Sequence, residues 1–445
     1  ANAERKVNHM PVSEIVKRGA IGIGERDADF HPDSWRRRIK QIELRVSPLT
    51  ALMKGLRTES TDSFRYHWPV QPHSAGRGTV VDVYTSASLA AGDAYSSGGV
   101  SGTILYLKLS AADVAQVIAS DVVTVFNSTT KAMRRCYVQS VVVAGANSYL
   151  QVILRETDTD NALAGASLTF TITGNAQPEF SPLPTALYSE PTWFVNQCQN
   201  FMESIELSNR ELKERERVDP HIRKRARLQA FKRLMQKKEY TYLFGKFDTQ
   251  NGPNGKPITF TEGLVTAIED NESGNVWDFS TTTDYGATGR TWLAGGLDFF
   301  DGVAEKISRK GEASHKTVFT GGLGLTLISQ LVRNASSHFF TTGQTSYGLK
   351  IHQFVTPNQD WHIIEHPLFS DNPELRDSML IFEKHLVGEK VLQPLKHISG
   401  ADKDQNGFTY VSGIKEGWEC DTGLIYENLE AMAWITNLGV TNTAS

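Results

Sequence analysis

Residues 190–244 run for fifty-five positions without a glycine, directly after a β-rich, glycine-studded region, and they include the most basic part of the chain. Phe194, Cys198, Phe201, Ile205 and Leu212 recur at multiples of three and four, with one turn left polar at Ser208 and Asn209. That is the stripe of an amphipathic helix. Pro191 suits a first helical turn. Asp219-Pro220 then reads as an N-cap followed by proline, opening a second piece whose apolar row is Ile222, Ala226, Ala230 and Leu234, with Phe231 and Met235 alongside. At 1.5 Å per residue the first piece alone would span roughly 40 Å, so the stretch predicts a scaffold helix that crosses the protein.

A chain of 445 residues is too long for one hydrophobic core and is expected to divide into two to four subdomains. No window approaches eighteen uncharged apolar residues, and the first ten positions are polar and charged. Neither a membrane span nor a secretory signal is read, and the protein is expected to work where it is made. Cys136, Cys198 and Cys420 lie far apart with no C-x-x-C spacing, which predicts reduced thiols rather than a disulfide framework or a zinc site.

Charge is segregated. The net value is −4, yet residues 211–238 hold eleven Lys/Arg against four Asp/Glu, a local +7. Such a face can turn towards a polyanion, or it can be a solvated helix surface with i,i+4 pairs such as Glu211 and Arg215. No aromatic residues interleave with the basic ones as stacking platforms, so any nucleic-acid contact through Arg223, Lys224, Arg225, Arg227, Lys232 and Arg233 is expected to be non-specific.

Residues 1–56 read as an extended arm with short helical turns, one of them opening at Ser47-Pro48, and 64–70 alternates as a strand. From 79 to about 173 the texture is β: runs at 79–84, 103–108, 121–126, 135–143, 150–155 and 168–172 are rich in β-branched and aromatic residues and are separated by Gly, Asn and Asp. Six short strands at this spacing predict a small barrel or sandwich. After the loop at 251–255 the chain mixes helix (293–307, 322–333) with strand (318–319, 349–355, 361–364, 378–382, 391–395, 407–414, 418–426, 431–438).

Three motifs invite a catalytic or binding role. His362-Ile-Ile-Glu-His366 matches the inverted zinc-protease string, which needs a helix to bring both histidines to one metal. Its paired isoleucines and the proline that follows read as a strand, where residues four apart lie roughly 13 Å from each other, too far to share one zinc. Asp402-Lys-Asp404-Gln-Asn406-Gly407 begins like a calcium loop, but its twelfth position is Gly413 rather than a bidentate glutamate, and a hairpin turn is the expected use. Gly321-Gly322-Leu323-Gly324 opens a helix without the spacing of a phosphate-binding turn; close helix packing accounts for it. No cofactor and no metal are expected.

An arm, a β excursion, a long helix and a mixed remainder without catalytic residues resemble the major capsid proteins of tailed bacteriophages with the HK97 fold. The resemblance is carried most sharply by Asn175-Ala-Gln-Pro-Glu179 leading into Pro191-Thr-Trp-Phe-Val-Asn-Gln-Cys-Gln199, a texture of the phage SU10-like group, and by Glu239-Tyr-Thr-Tyr-Leu-Phe-Gly245. It implies an α+β chain laid out as an N-terminal arm (1–56), the first strand of an extended loop (57–78), an inserted β domain (79–174), the loop's return (175–190), a spine helix (191–245, with a break at 219–220), a peripheral domain (246–294), an axial domain (295–392) and a peripheral return (393–445). It further implies a subunit, not an enzyme, that assembles with copies of itself as hexamers and pentamers of an icosahedral shell. The packaged DNA, portal, scaffolding and decoration proteins would be partners, with no membrane. The protein would be made in the host cytoplasm and end in the virion. No lysine–asparagine–glutamate triple stands out, so no covalent crosslink is expected. The alternatives are an encapsulin-like compartment, a phage tail or adhesin component, and a metal-dependent hydrolase using His362 and His366.

Overall fold

The computed structural model describes residues 49, 57–71, 76–164, 167–213, 222–334, 340–346, 349–400 and 413–444. Most of the expected N-terminal arm, the Asp219-Pro220 break and the calcium-like string at 402–407 lie outside them. The chain divides into two compact units, Tyr66–Val195 and the remainder, Ala1–Arg65 with Asn196–Ser445.

In the first unit six strands close into a barrel in the order Arg77–Tyr84, Ile104–Leu109, Tyr149–Leu154, Met133–Val142, Asp121–Asn127 and Leu168–Asn175. Each expected run of the β excursion forms one of these strands, and of the two architectures expected, the chain adopts the barrel. Alternation explains why. Leu105, Leu107, Val138, Val152 and Phe170 point inward and are fully buried, while their sequence neighbours are partly or fully exposed. Bulges at Val80/Asp82, Val122/Val123 and Val138/Ser140 break the register and bend the strands, which closure of so small a barrel requires. Buried Asp158 ties the connections together, accepting hydrogen bonds from Tyr95 Oη at 3.0 Å, Arg134 Nε at 2.8 Å and the Ala162 amide at 2.9 Å. A two-stranded ribbon of Arg65–Val70 and Thr192–Gln197 accompanies the barrel, with the Trp68 ring between those of Tyr66 and Phe194.

The structure corrects the expected spine helix. Residues 192–208 are not its first half but two strands, Thr192–Gln197 and Gln199–Ser208. The second pairs antiparallel with Gly413–Tyr426 from Gln199↔Thr422 to Ser208↔Gly413. A spacing of four belongs to both the helical and the strand period, so Phe201 and Ile205 fit either. The residues between them decide: Phe201, Glu203, Ile205 and Leu207 lie inward, while Asn200, Met202, Ser204 and Glu206 are exposed. A short helix, Asn209–Lys213, follows, and the long helix is Ile222–Phe244. Ala230, Leu234 and Met235 of its expected apolar row are buried.

That long helix lies on a four-stranded sheet ordered Thr58–Ser60, Val387–Gly400, Gly413–Tyr426, Gln199–Ser208. A second sheet of seven strands runs Val276–Asp278, Ala433–Thr436, Met379–Phe382, His315–Thr320, Asp360–Glu365, Leu349–Val355, Phe340–Ser346. Its first two strands come from stretches expected in the peripheral domain, so one sheet runs across the expected limits 246–294, 295–392 and 393–445. The helices Trp292–Ser308 and Gly322–Asn334 pack on it around Phe299, Phe300, Trp361, Ile363, Ile381 and Ile435. The loop at 251–255 is the tip of an exposed hairpin, Asp248–Asn251 with Pro257–Phe260. A helix at Leu264–Asn271 was not expected from the sequence.

Candidate functional site: the basic helix and its acidic sheet

The long helix carries its basic residues as a ladder, and the sheet beneath supplies carboxylates in register with it. Arg227 grips Glu416 with two nitrogens, Nε at 2.5 Å and Nη2 at 2.7 Å, and Arg223 reaches the same carboxylate. Glu416 is buried, and the two guanidiniums, Arg227 foremost, hold its carboxyl down at about 2. Two turns on, Arg233 (2.7 Å) and Lys237 (2.5 Å) close on Glu203, whose carboxyl is also held below the usual range. Further still the pairing goes underground. Lys238 meets Glu389, both buried, and Tyr242 Oη joins the same cluster, donating to Glu389 at 3.2 Å with the Thr422 hydroxyl 2.8 Å away. Between the ion pairs the contact is apolar: Phe231 packs edge-on against Trp418 at 5.4 Å, and the Trp418 indole N–H donates to the Arg227 carbonyl at 3.2 Å.

Of the six basic residues picked out by sequence, Arg223 and Arg227 therefore converge on one carboxylate and Arg233 shares another. Arg225 and Lys232 are part-buried and engaged, and Lys224 is exposed. The local +7 is opposed by the sheet at Glu203, Glu389 and Glu416, three residues whose role no local pattern announces because their partners lie 30 to 193 positions away.

The segment Asn196-Gln-Cys-Gln199, read from the sequence as the opening of the spine, is a polar knot. Asn196 is fully buried; its amide donates to the carbonyls of Glu262 (3.2 Å) and Leu424 (2.9 Å), and its oxygen accepts from the amides of Gln197 (2.8 Å) and Glu262 (2.9 Å). Gln197 donates to the Phe260 carbonyl at 3.0 Å, the Cys198 carbonyl accepts from Thr259 at 2.6 Å, and Gln199 accepts from the Thr261 amide at 3.2 Å. These bonds pin the exposed hairpin to the sheet and leave the knot's amide groups paired.

His362 and His366 are not brought together. His362 lies in the Asp360–Glu365 strand with its ring stacked on His315 at 5.4 Å, and burial lowers its pKa. His366 is fully buried beyond the strand end, where Nδ1 accepts from the Leu368 amide and Nε2 lies 2.9 Å from Glu239. Among the described residues no group of three or more His, Cys, Asp or Glu side chains is placed to hold a metal ion. The glycines at 321–324 serve packing. The Gly322 amide donates to Ser370 Oγ and that of Gly324 to the Arg376 carbonyl, both at 2.9 Å. A side chain at Gly321 would meet the Arg376 backbone.

A long helix riveted to a sheet, a self-contained barrel earlier in the chain, and large apolar side chains exposed along residues 180–193 describe a subunit built into something larger. The class is that of shell-forming phage capsid proteins. The sequence profile of the family described as SU10 major capsid protein matches residues 29–439, and the chain belongs to that family. No relative is found among curated proteins. Among solved structures the chain is similar to one from Mycobacterium phage Bobi (7% identity, TM-score 0.44, covering 92% of this chain and 96% of that one). It is also similar to the capsid of a native GTA particle (7%, TM-score 0.43, 95% and 98%) and to an encapsulin complex from Synechococcus elongatus (12%, TM-score 0.36, 57% and 79%).

Proposed function

We propose that this capsid subunit assembles with copies of itself, as hexamers and pentamers, into the icosahedral shell of a tailed phage that encloses double-stranded DNA. The observation that carries the assembly reading is the stretch 176–191, which has no regular structure and holds Phe180, Leu183 and Tyr188 almost fully in water, with Trp193 exposed just beyond. A lone monomer rarely keeps such a row of large apolar side chains in solvent. Laid on neighbouring copies, segments of this kind bury obligate-interface areas through many individually modest contacts.

The basic helix supports a second part of the reading, non-specific contact with packaged DNA through Arg223, Lys224, Arg225, Arg227, Lys232 and Arg233. Because Arg223, Arg227 and Arg233 already have carboxylate partners, the exposed Lys224 is the residue on which to test it. Lys224→Gln should lower packaged DNA or make its retention more salt-sensitive while leaving the fold intact; unchanged DNA content would remove the helix from this role. Portal, scaffolding and decoration proteins would be further partners, and synthesis would take place in the host cytoplasm.

Negative-stain electron microscopy of the purified chain, with absorbance at 260 and 280 nm, tests the whole. Closed polyhedral shells carrying nucleic acid are expected. Shells that enclose protein but no nucleic acid would favour a compartment of the encapsulin kind, and a small discrete oligomer would overturn the shell.

A further inference from the structure

Glu239 is an acid with no exposed surface, set deep in the second unit on the long helix. A carboxylate in such a place is tolerated only if donors come to it. Two do so from distant parts of the chain. His366 Nε2 stands 2.9 Å from Oε1, and the backbone amide of Leu49 donates to the same oxygen at 2.7 Å across 190 positions of sequence. The histidine is held in turn. Its Nδ1 accepts from the Leu368 amide at 3.3 Å, so the ring proton sits on Nε2, pointing at Glu239. The rings of Phe319 and Phe369, both fully buried, lie at 5.1 and 5.0 Å from the imidazole and keep the place dry. Leu49 is itself fully buried. Without it the carboxylate would lose a short, charge-assisted bond in a spot water does not fill.

We infer that the Glu239–His366 pair is the docking site for this chain's own N-terminal segment. The carboxylate, oriented by the histidine, captures the Leu49 amide. One oxygen thus joins the N-terminal segment, the long helix and the strand end at His366.

Two variants of the full-length chain test it. Glu239→Gln keeps the shape of the side chain but removes its charge, and Leu49→Pro deletes the donor while leaving the Glu239–His366 pair in place. Hydrogen exchange by mass spectrometry on unassembled protein should show the peptide around residue 49 exchanging roughly tenfold faster in both, as the loss of one charge-assisted bond predicts, with the Gly322–Asn334 helix unchanged. Exchange at the wild-type rate around residue 49 in both variants would overturn the inference. This readout is independent of shells: failure of the wild type to assemble would count against the shell reading and leave the docking result standing.

Discussion

Glu416 shows how a single residue can carry a testable share of stability. Its carboxyl is held near 2 against an ordinary 4.5 because Arg227 and Arg223 hydrogen-bond its ionised form. A depressed carboxyl stabilises the fold fully above about pH 4.5, and this contribution is lost as pH falls through about 2. The guanidiniums are 36% and 41% exposed, so the contribution is discounted for solvent screening to about 1–2 kcal/mol. Urea unfolding followed from pH 6 to pH 2.5 should therefore show an acid-side loss of stability that is shallower in Glu416→Gln; parallel curves would mean that the pair contributes nothing. The three cysteines follow the opposite logic. Burial pushes the Cys136 and Cys198 thiols up to about 12 and raises Cys420 as well, and an uncharged buried thiol is a poor nucleophile. A thiol reagent should titrate none of them in the native protein at pH 8 and all three once the chain is unfolded in denaturant; fast native labelling would contradict the packing.

Among the elements, what could be read from sequence depended on how far a segment's environment is local. The barrel strands were legible because each carries its own alternation and is punctuated by Gly, Asn or Asp, as in Leu150-Gln-Val-Ile-Leu154. The helix Trp292–Ser308 was legible because a long apolar face leaves little choice of period. The strand Gln199–Ser208 was misread because Phe201 and Ile205 satisfy both periods, and what selects the strand is Gly413–Tyr426, two hundred residues on. The candidate site was legible only on its basic side: the stretch 211–238 announced itself by charge, whereas Glu203, Glu389 and Glu416 look like ordinary surface acids until folding sets them under the helix. Adjacent positions distinguish strand from helix directly. Phe201 is buried edge-on against Tyr242, while neighbouring Met202 is 59% exposed. Phe201→Ala should cost about 3–4 kcal/mol and Met202→Lys no more than about 0.5 kcal/mol, measured as shifts in denaturation midpoint. Equal costs would argue against the alternation.

For the whole molecule, the question is whether the barrel is needed for the rest to fold. Its first and last strands are neighbours: Arg77 pairs with Thr171, and the Ile172 amide donates to the Gly76 carbonyl at 2.7 Å. The chain thus enters and leaves at adjacent points, the geometry that lets a domain be inserted or removed without stretching its host. The barrel also closes on a core of its own, in which Leu105, Val123, Val152 and Phe170 find their partners within the same six strands. Residues 76–176 expressed alone should unfold in one cooperative transition, as a closed sheet with a private core should. Replacing 77–175 by a short glycine–serine linker should leave the remaining chain folded, its melting midpoint within about 4 °C of the parent. If the excised chain still forms shells, the barrel is dispensable for assembly; if it folds but stays unassembled, the barrel is itself a contact between copies.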